Sequence, residues 1–130
     1  MDYEKSIYDL EKILDDLRDK NIDVPIIVEG DKDIEALKKL NIKGIILSLN
    51  KGISIINFCD LIANKYKKII ILTDWDKKGG QLCYKIKNNL FGRVDCNIDY
   101  RKKIAQITTI KTVEGLPSWI ETIRLKINHK

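Results

Sequence analysis

Two aspartates in this sequence have the type and spacing of a metal-binding pair. Asp74 and Asp76 are separated by one residue and follow the apolar run 69–72. Carboxylates this close repel each other unless a cation lies between them, and hard oxygen ligands suit Mg²⁺ or Mn²⁺. The alternative interpretation is a solvated turn in which Asp74 caps the following helix.

A glutamate follows another apolar run in a similar way. Residues 24–28 end at Glu29, and Gly30 comes next. Asp31 and Asp33 are explained as the N-cap and a first-turn acid of the next helix. Glu29 lies on the strand side of the glycine, where helix capping does not account for it, so it is a third candidate for chemistry.

Alternating strands and helices are predicted to position these acids. Predicted strands cover residues 24–28, 44–49, 68–73 and 94–98, and predicted helices cover 2–20, 33–40, 53–66 and 80–91. After Asp99 the pattern predicts a short helix at 100–106, a strand at 106–113 and a last helix from Pro117. This alternation favours βαβ units and a parallel sheet, in which Glu29 would meet Asp74 and Asp76 at one edge.

Length and composition limit the class of protein. The 130 residues suit a single domain, 1–130, and no run approaches the ~20 apolar residues that cross a bilayer, so we expect a cytoplasmic protein without membrane contact. The one histidine, His129, is the penultimate residue, which excludes mechanisms that need a histidine base. Residues 1–40 hold 7 Lys/Arg and 12 Asp/Glu, whereas residues 41–130 hold 17 and 7. The basic part indicates a phosphate-rich partner, or lysines that serve only solubility.

The two acidic motifs together have the order and spacing of a known family. They are Glu29-Gly30-x-x-Asp33 and Asp74-x-Asp76-x-x-Gly79, and both follow apolar strands. They resemble the Toprim domain of topoisomerases, bacterial primases, a ribosomal-RNA-maturing ribonuclease and the overcoming-lysogenization-defect nucleases. Residues 48–52 are similar to the glycine turn that this family carries between its motifs. The resemblance covers residues 24–98, and the chain looks most like the small stand-alone Toprim proteins of archaea and some bacteria.

The resemblance implies a three-layer, Rossmann-like α/β fold with a central parallel sheet of about four strands. The Toprim-like core would span 24–98, with an extra N-terminal helix at 2–20 and a C-terminal helical extension at 99–130.

The same resemblance implies one or two Mg²⁺ ions, with Mn²⁺ as a possible substitute, at Glu29, Asp74 and Asp76. Glu29 would bind the first ion and act as general acid or base, Asp74 would touch both ions, and Asp76 would serve the second. Gly30, Asp33 and Gly79 would have supporting roles. The chain departs from the family at Asp31, where many members carry a basic residue, and at Lys78, where the topoisomerases carry glutamate.

Several residues near the predicted site could contact a nucleic acid. Lys51, Lys77 and Lys78 lie on predicted loops at the same edge and could position phosphates, or they could be ordinary solvated lysines. Trp75 would support the loop or stack on a base, and support is the commoner outcome. Residues 100–103 combine a tyrosine with three cations, which indicates either a strand-contacting patch or an exposed helix.

The leading hypothesis is Mg²⁺-dependent phosphodiester chemistry on RNA or DNA, as a nuclease or RNA-processing factor. A topoisomerase or a self-sufficient primase is disfavoured because each needs further domains. One alternative is a catalytically silent module that binds metal and nucleic acid, and a second is phosphotransfer through an aspartyl phosphate. A protein partner that holds the substrate is compatible with each hypothesis.

Overall fold

The computed structural model describes residues 1–49 and 52–129. Within them, helices and strands alternate through most of the chain. The elements are α1 (Tyr3–Asn21), β1 (Ile26–Val28), α2 (Asp31–Lys39), β2 (Ile46–Ser48), α3 (Ile55–Lys65), β3 (Lys68–Ile71), α4 (Lys77–Leu90), β4 (Asp95–Asn97), α5 (Asp99–Ile107) and α6 (Leu116–Asn128).

The strands form one parallel sheet in the order β2-β1-β3-β4. Ile26 of β1 pairs with Ile46 on one side and with Ile70 on the other, and Lys68 of β3 pairs with Asp95 of β4. β1 and β3 are therefore the two central strands, and the strand order reverses between them.

Alternate side chains of the central strands enter two separate apolar layers. Ile26 and Ile70 pack with residues of α1, α2, α5 and α6, whereas Ile27, Ile69 and Ile71 pack with residues of α3 and α4. The strands read as continuous apolar runs because both of their faces are covered. The predicted three-layer α/β fold with a four-stranded parallel sheet is confirmed, and its placing in a single domain stays a prediction.

The end of α1 is tied to the sheet by a buried asparagine. The Asn21 side chain accepts a hydrogen bond from the Gly44 N–H at 2.8 Å and donates to the carbonyls of Val24 and Ile45 at 3.0 Å each. Asn21 therefore joins the entry of β1 to the entry of β2. No helix among the described residues is long and apolar enough to cross a membrane.

The predicted strand at 106–113 is wrong. Helix α5 continues to Ile107, and residues 108–115 connect it to α6 in an irregular conformation. The β-branched residues that suggested a strand serve packing instead, since Val113 is fully buried in the layer that contains α1 and α6. Backbone groups of this connection bond to the acidic loop between β3 and α4 and not to a neighbouring strand.

Two helices begin two or three residues earlier than predicted. α2 begins at Asp31 with Gly30 as its N-cap, and the Asp33 side chain reaches back to accept from the Gly30 N–H at 3.1 Å. α4 begins at Lys77, so two glycines lie inside its first turns despite their poor helix propensity. The other elements lie within a few residues of their predicted bounds.

Candidate functional site

The acids lie at the carboxyl ends of the two central strands. Glu29 directly follows β1, and Asp74 lies three residues after the end of β3. In open parallel sheets, ligands bind at this edge, at the point where the strand order reverses. The sheet order therefore places Glu29 and Asp74 where a ligand is expected.

A hydrogen bond couples these two residues directly. The Asp74 N–H donates to Oε2 of Glu29 at 2.8 Å, and Oδ1 of Asp74 accepts from the Val113 N–H at 2.9 Å. No described residue donates a hydrogen bond to the second oxygen of either carboxylate. Each acid is thus held by one oxygen and keeps the other available.

Every main-chain polar group around the Asp74 Cα is bonded. The carbonyls of Thr73 and Asp74 accept from the guanidinium of Arg101, and the Trp75 N–H donates to the Lys111 carbonyl at 2.9 Å. With the bond to the Glu29 carboxylate, these contacts fix the peptide groups on both sides of Asp74. The N–H and C=O groups on both sides of Asp74 are therefore hydrogen-bonded, as they would be in a helix or a strand.

A glycine allows the next helix to approach this loop. A Cβ placed on Gly79 would lie 1.8 Å from the Asp74 carbonyl oxygen, much closer than atoms can approach. The Gly79 carbonyl also accepts from the buried Thr73 hydroxyl at 2.8 Å. Gly79 thus supports the position of Asp74 by close packing.

The free side of the acids opens into a cleft of about 720 Å³. Its polar lining consists of the acidic residues and two lysines, and its remaining wall is apolar. The lining residues are Glu29, Gly30, Asp31, Lys32, Asp33, Leu49, Ile55, Asp74, Lys78, Leu82 and Glu114. Because five acids face two lysines, the cleft would attract a cation and repel an unaccompanied phosphate.

Burial and crowding raise the pKa of two of these acids. Burial is the largest cause of a rise in the pKa of Asp74 from 3.8 to about 6, with further increases from the charges of Glu29, Asp33 and Asp76; the Val113 N–H acts in the opposite direction. Burial also raises the pKa of Asp33, which is 7% exposed. A carboxylate with a raised pKa carries a charge that the fold does not fully compensate, which favours a bound cation.

A comparison with protein families identifies this fold and loop pattern. The family model of the Toprim domain matches residues 24–107. The chain belongs to the Toprim family. The match begins at the residue where the sequence pattern predicted the Toprim core to begin, and it includes both acidic motifs.

Archaeal relatives match the chain over most of their length. A UPF0292 protein of Thermoplasma volcanium is 44% identical over 105 residues, which cover 80% of this chain and 88% of that protein. A UPF0292 protein of Methanosarcina barkeri is 33% identical over 132 residues and covers 98% and 91%. The predicted likeness to small archaeal Toprim proteins is confirmed.

A solved structure from Aquifex aeolicus has the same fold. It superposes with a TM-score of 0.70, is 24% identical and covers 80% of this chain and 94% of its own. At this identity the likeness extends to the fold alone.

The second Toprim aspartate uses one of its oxygens as a helix cap. The Asp76 side chain is the N-cap of α4, where Oδ1 accepts from the Gly79 N–H at 2.7 Å, and Asp76 does not line the cleft. Among the described residues, no group of three or more His, Cys, Asp or Glu side chains is arranged to hold a metal ion. The structure therefore brings Glu29 and Asp74 together and uses Asp76 to start a helix.

The three predicted phosphate-contacting lysines have different positions. Lys78 lines the cleft, whereas Lys77 is exposed at the first position of α4 and does not. Lys51 lies outside the described residues. Sequence reasoning did not select Lys32, which also lines the cleft and provides a second cation there.

The aromatic residue of the Toprim loop acts as a support. The Trp75 ring N–H donates to the Ile110 carbonyl at 2.6 Å, and its side chain packs against the core layer that contains α1 and α6. Residues 100–103 do not form one patch, because Tyr100 is buried and bonds to Asp16, while Arg101 bonds to the acidic loop.

Part of the site comes from residues after the end of the Toprim match. Glu114 lines the cleft, and its charge contributes to the raised pKa of Asp33. The preceding Val113 supplies the N–H that holds Asp74. The tripeptide Val-Glu-Gly, which contains Glu29 at residues 28–30, occurs again at residues 113–115 and could have indicated a second glutamate at the site. It was not used because residues 106–113 were predicted to form a strand.

Proposed function

We propose that this Toprim protein binds a divalent metal ion with Glu29 and Asp74 and uses it to cleave phosphodiester bonds in a nucleic acid. The observation that carries the proposal is the hydrogen-bonded pair itself, which lies at the switch point of the sheet and lines an acidic cleft. Membership of the Toprim family supports a metal-dependent, nucleic-acid-related function.

The residues of the cleft fit a hard cation. The free oxygens of Glu29 and Asp74 are ligands that Mg²⁺ prefers, and two carboxylates leave the remaining coordination positions to water and phosphate. A bound Mg²⁺ or Mn²⁺ would supply charge stabilisation on the attacking and leaving oxygens of the phosphodiester. Asp76 uses one oxygen as the cap of α4, and its other oxygen would be the one to serve a second ion.

The remaining cleft residues orient the substrate. Lys78 and Lys32, which each follow one of the two acids in the chain, would contact the phosphates next to the cleaved bond. Glu29 would also act as general acid or base toward the attacking water, the role that the Toprim resemblance implies for it.

The test is a cleavage assay with Mn²⁺ and Mg²⁺ on short labelled RNA and DNA strands, in single- and double-stranded form. Glu29→Gln keeps an acceptor for the Asp74 N–H and removes the charge, so we expect at least a hundredfold loss of cleavage. The matched control is Glu121→Gln at an exposed position of α6, which should cleave like the wild type. Cleavage that survives Glu29→Gln would refute the proposed role.

A second function is favoured by one observation. Because Asp76 caps α4 and does not line the cleft, the site resembles a one-ion binding site more than a two-ion cleavage site. The protein would then bind metal and nucleic acid without cutting. Metal-dependent binding of a strand in the absence of product would identify this function. The aspartyl-phosphate alternative gains no support from the Toprim match, and beryllofluoride binding to Asp74 remains its test.

A further inference from the structure

We propose that Arg101 is the positioning residue of this site. It acts through the backbone of the acidic loop to hold the Asp74 carboxylate ready for metal. This inference rests on the proposed function, because it assigns a task to a residue that touches neither metal nor substrate.

The guanidinium bridges two successive carbonyl groups. Nε donates to Thr73 at 3.1 Å and to Asp74 at 3.2 Å, and Nη2 donates to Asp74 at 2.8 Å. The two carbonyls belong to the peptide groups on either side of the Asp74 Cα. A rigid planar fork that bonds both therefore fixes the backbone angles that aim the side chain.

The position of Arg101 argues against an ordinary surface role. The residue is half-buried, and these three hydrogen bonds end on main-chain carbonyls and not on a carboxylate. The guanidinium lies beside α4, since a Cβ on Gly80 would make an ordinary van der Waals contact with Nη2 at 3.6 Å. The next two residues of α5, Lys102 and Lys103, are exposed. Of these three cations, Arg101 is the one that bonds to the acidic loop.

Three supports of different kinds meet at Asp74. Arg101 fixes its two flanking carbonyls, the Glu29 carboxylate accepts its N–H, and the Val113 N–H fixes its Oδ1. Without Arg101, two carbonyls would be left to solvent, and the loop would have to be ordered when the metal binds. Part of the binding free energy would then be spent on ordering the loop, so we expect metal affinity to fall about tenfold.

The first measurement is a calorimetric titration of Mn²⁺ into the full chain. Arg101→Gln should raise the Mn²⁺ dissociation constant about tenfold, and Arg101→Lys should give an intermediate value because one ammonium cannot form the fork. The matched control is Lys102→Gln, which removes the same charge from the next position of α5 and should stay within about twofold of the wild type.

The second measurement reads the loop without any metal. Hydrogen exchange followed by NMR should show faster exchange at the Asp74 and Trp75 amides in Arg101→Gln, with unchanged protection at Ile70 in the centre of β3. Equal acceleration at all three amides would show a general loss of stability and would overturn the positioning role. Wild-type exchange at the loop, or wild-type Mn²⁺ affinity in Arg101→Gln, would also overturn it.

The two measurements separate the two proposals. If the wild type binds no Mn²⁺ at all, the proposed function fails, and the exchange data still decide whether Arg101 holds the loop. If the wild type binds Mn²⁺ and Arg101→Gln binds it equally well, only the positioning role fails.

Discussion

Asp74→Asn should make the metal-free protein more stable while removing its affinity for metal. The substitution keeps an oxygen that can accept from the Val113 N–H and removes a charge that burial and neighbouring acids disfavour. The wild-type fold retains a proton on Asp74 up to a pKa of about 6, whereas the unfolded chain loses it near 3.8. Between these values, rising pH therefore destabilises the wild type, because the folded state binds the proton more tightly.

The size of the effect follows from this difference in pKa. About two pKa units correspond to at most about 3 kcal/mol at 1.36 kcal/mol each. Asp74 is partly exposed and its charge is screened by solvent, so we expect about 1–2 kcal/mol at pH 7.5. For a chain of this size, that raises Tm by roughly 3–8 °C. The difference should disappear below about pH 4, where Asp74 is protonated in both states.

The assay is thermal and urea unfolding of both proteins between pH 3.5 and 8, with EDTA and then with Mg²⁺. Added Mg²⁺ should stabilise the wild type and leave Asp74→Asn unchanged. Asp23→Asn is the matched control, since Asp23 is exposed at the opposite end of the sheet and its change should stay within about 0.5 kcal/mol. A destabilised Asp74→Asn protein, or a gain that persists at pH 3.5, would refute the electrostatic reasoning.

Three further predictions concern the support of the site, the attachment of α1 to the sheet and the charge of the cleft. Gly79→Ala should lose several kcal/mol in urea unfolding, about 2–4, because its Cβ would overlap the Asp74 carbonyl, whereas Gly80→Ala on the same helix should gain up to about 1 kcal/mol. Equal effects of the two substitutions would exclude the close approach as the cause. Asn21→Ala removes three hydrogen bonds that join α1 to the sheet and should lower the free energy of unfolding by about 2–4 kcal/mol. Glu114→Gln should weaken Mg²⁺ binding a few-fold, and less so at high salt; an unchanged affinity would remove this carboxylate from the electrostatics of the site.

The sequence allowed the core of the site to be predicted because its signals are local. Apolar runs covered on both faces identify β1 and β3, and an acid directly after such a run must lie at the edge of the sheet. Glu29 and Asp74 satisfied both conditions, and the structure places them in hydrogen-bonded contact.

Other parts of the site depend on which of several available partners a side chain bonds to, and the sequence does not indicate which partner is preferred. An aspartate before a glycine-containing helix can bind metal or cap the helix, and Asp76 caps it. Val113 bonds to Asp74 across 39 positions of the chain, and Glu114 next to it lines the cleft. β-Propensity accounted for the burial of Val113 and not for its contact with Asp74. In the sequence, Arg101 is one cation of a basic run, and nothing local indicates that it donates to the carbonyls of the acidic loop.

The contact between Asp74 and Val113 sets an order of events during synthesis. The four strands are complete once residue 97 has been made, but the residues that secure the acidic loop follow at positions 101–113. At about 5–20 residues per second, a ribosome needs about 2–8 s to add the 39 residues between these two partners. During that interval the nascent chain contains Asp74 but not the Val113 N–H that holds its carboxylate. The groups that hold the acidic loop are therefore made later than the last strand of the sheet.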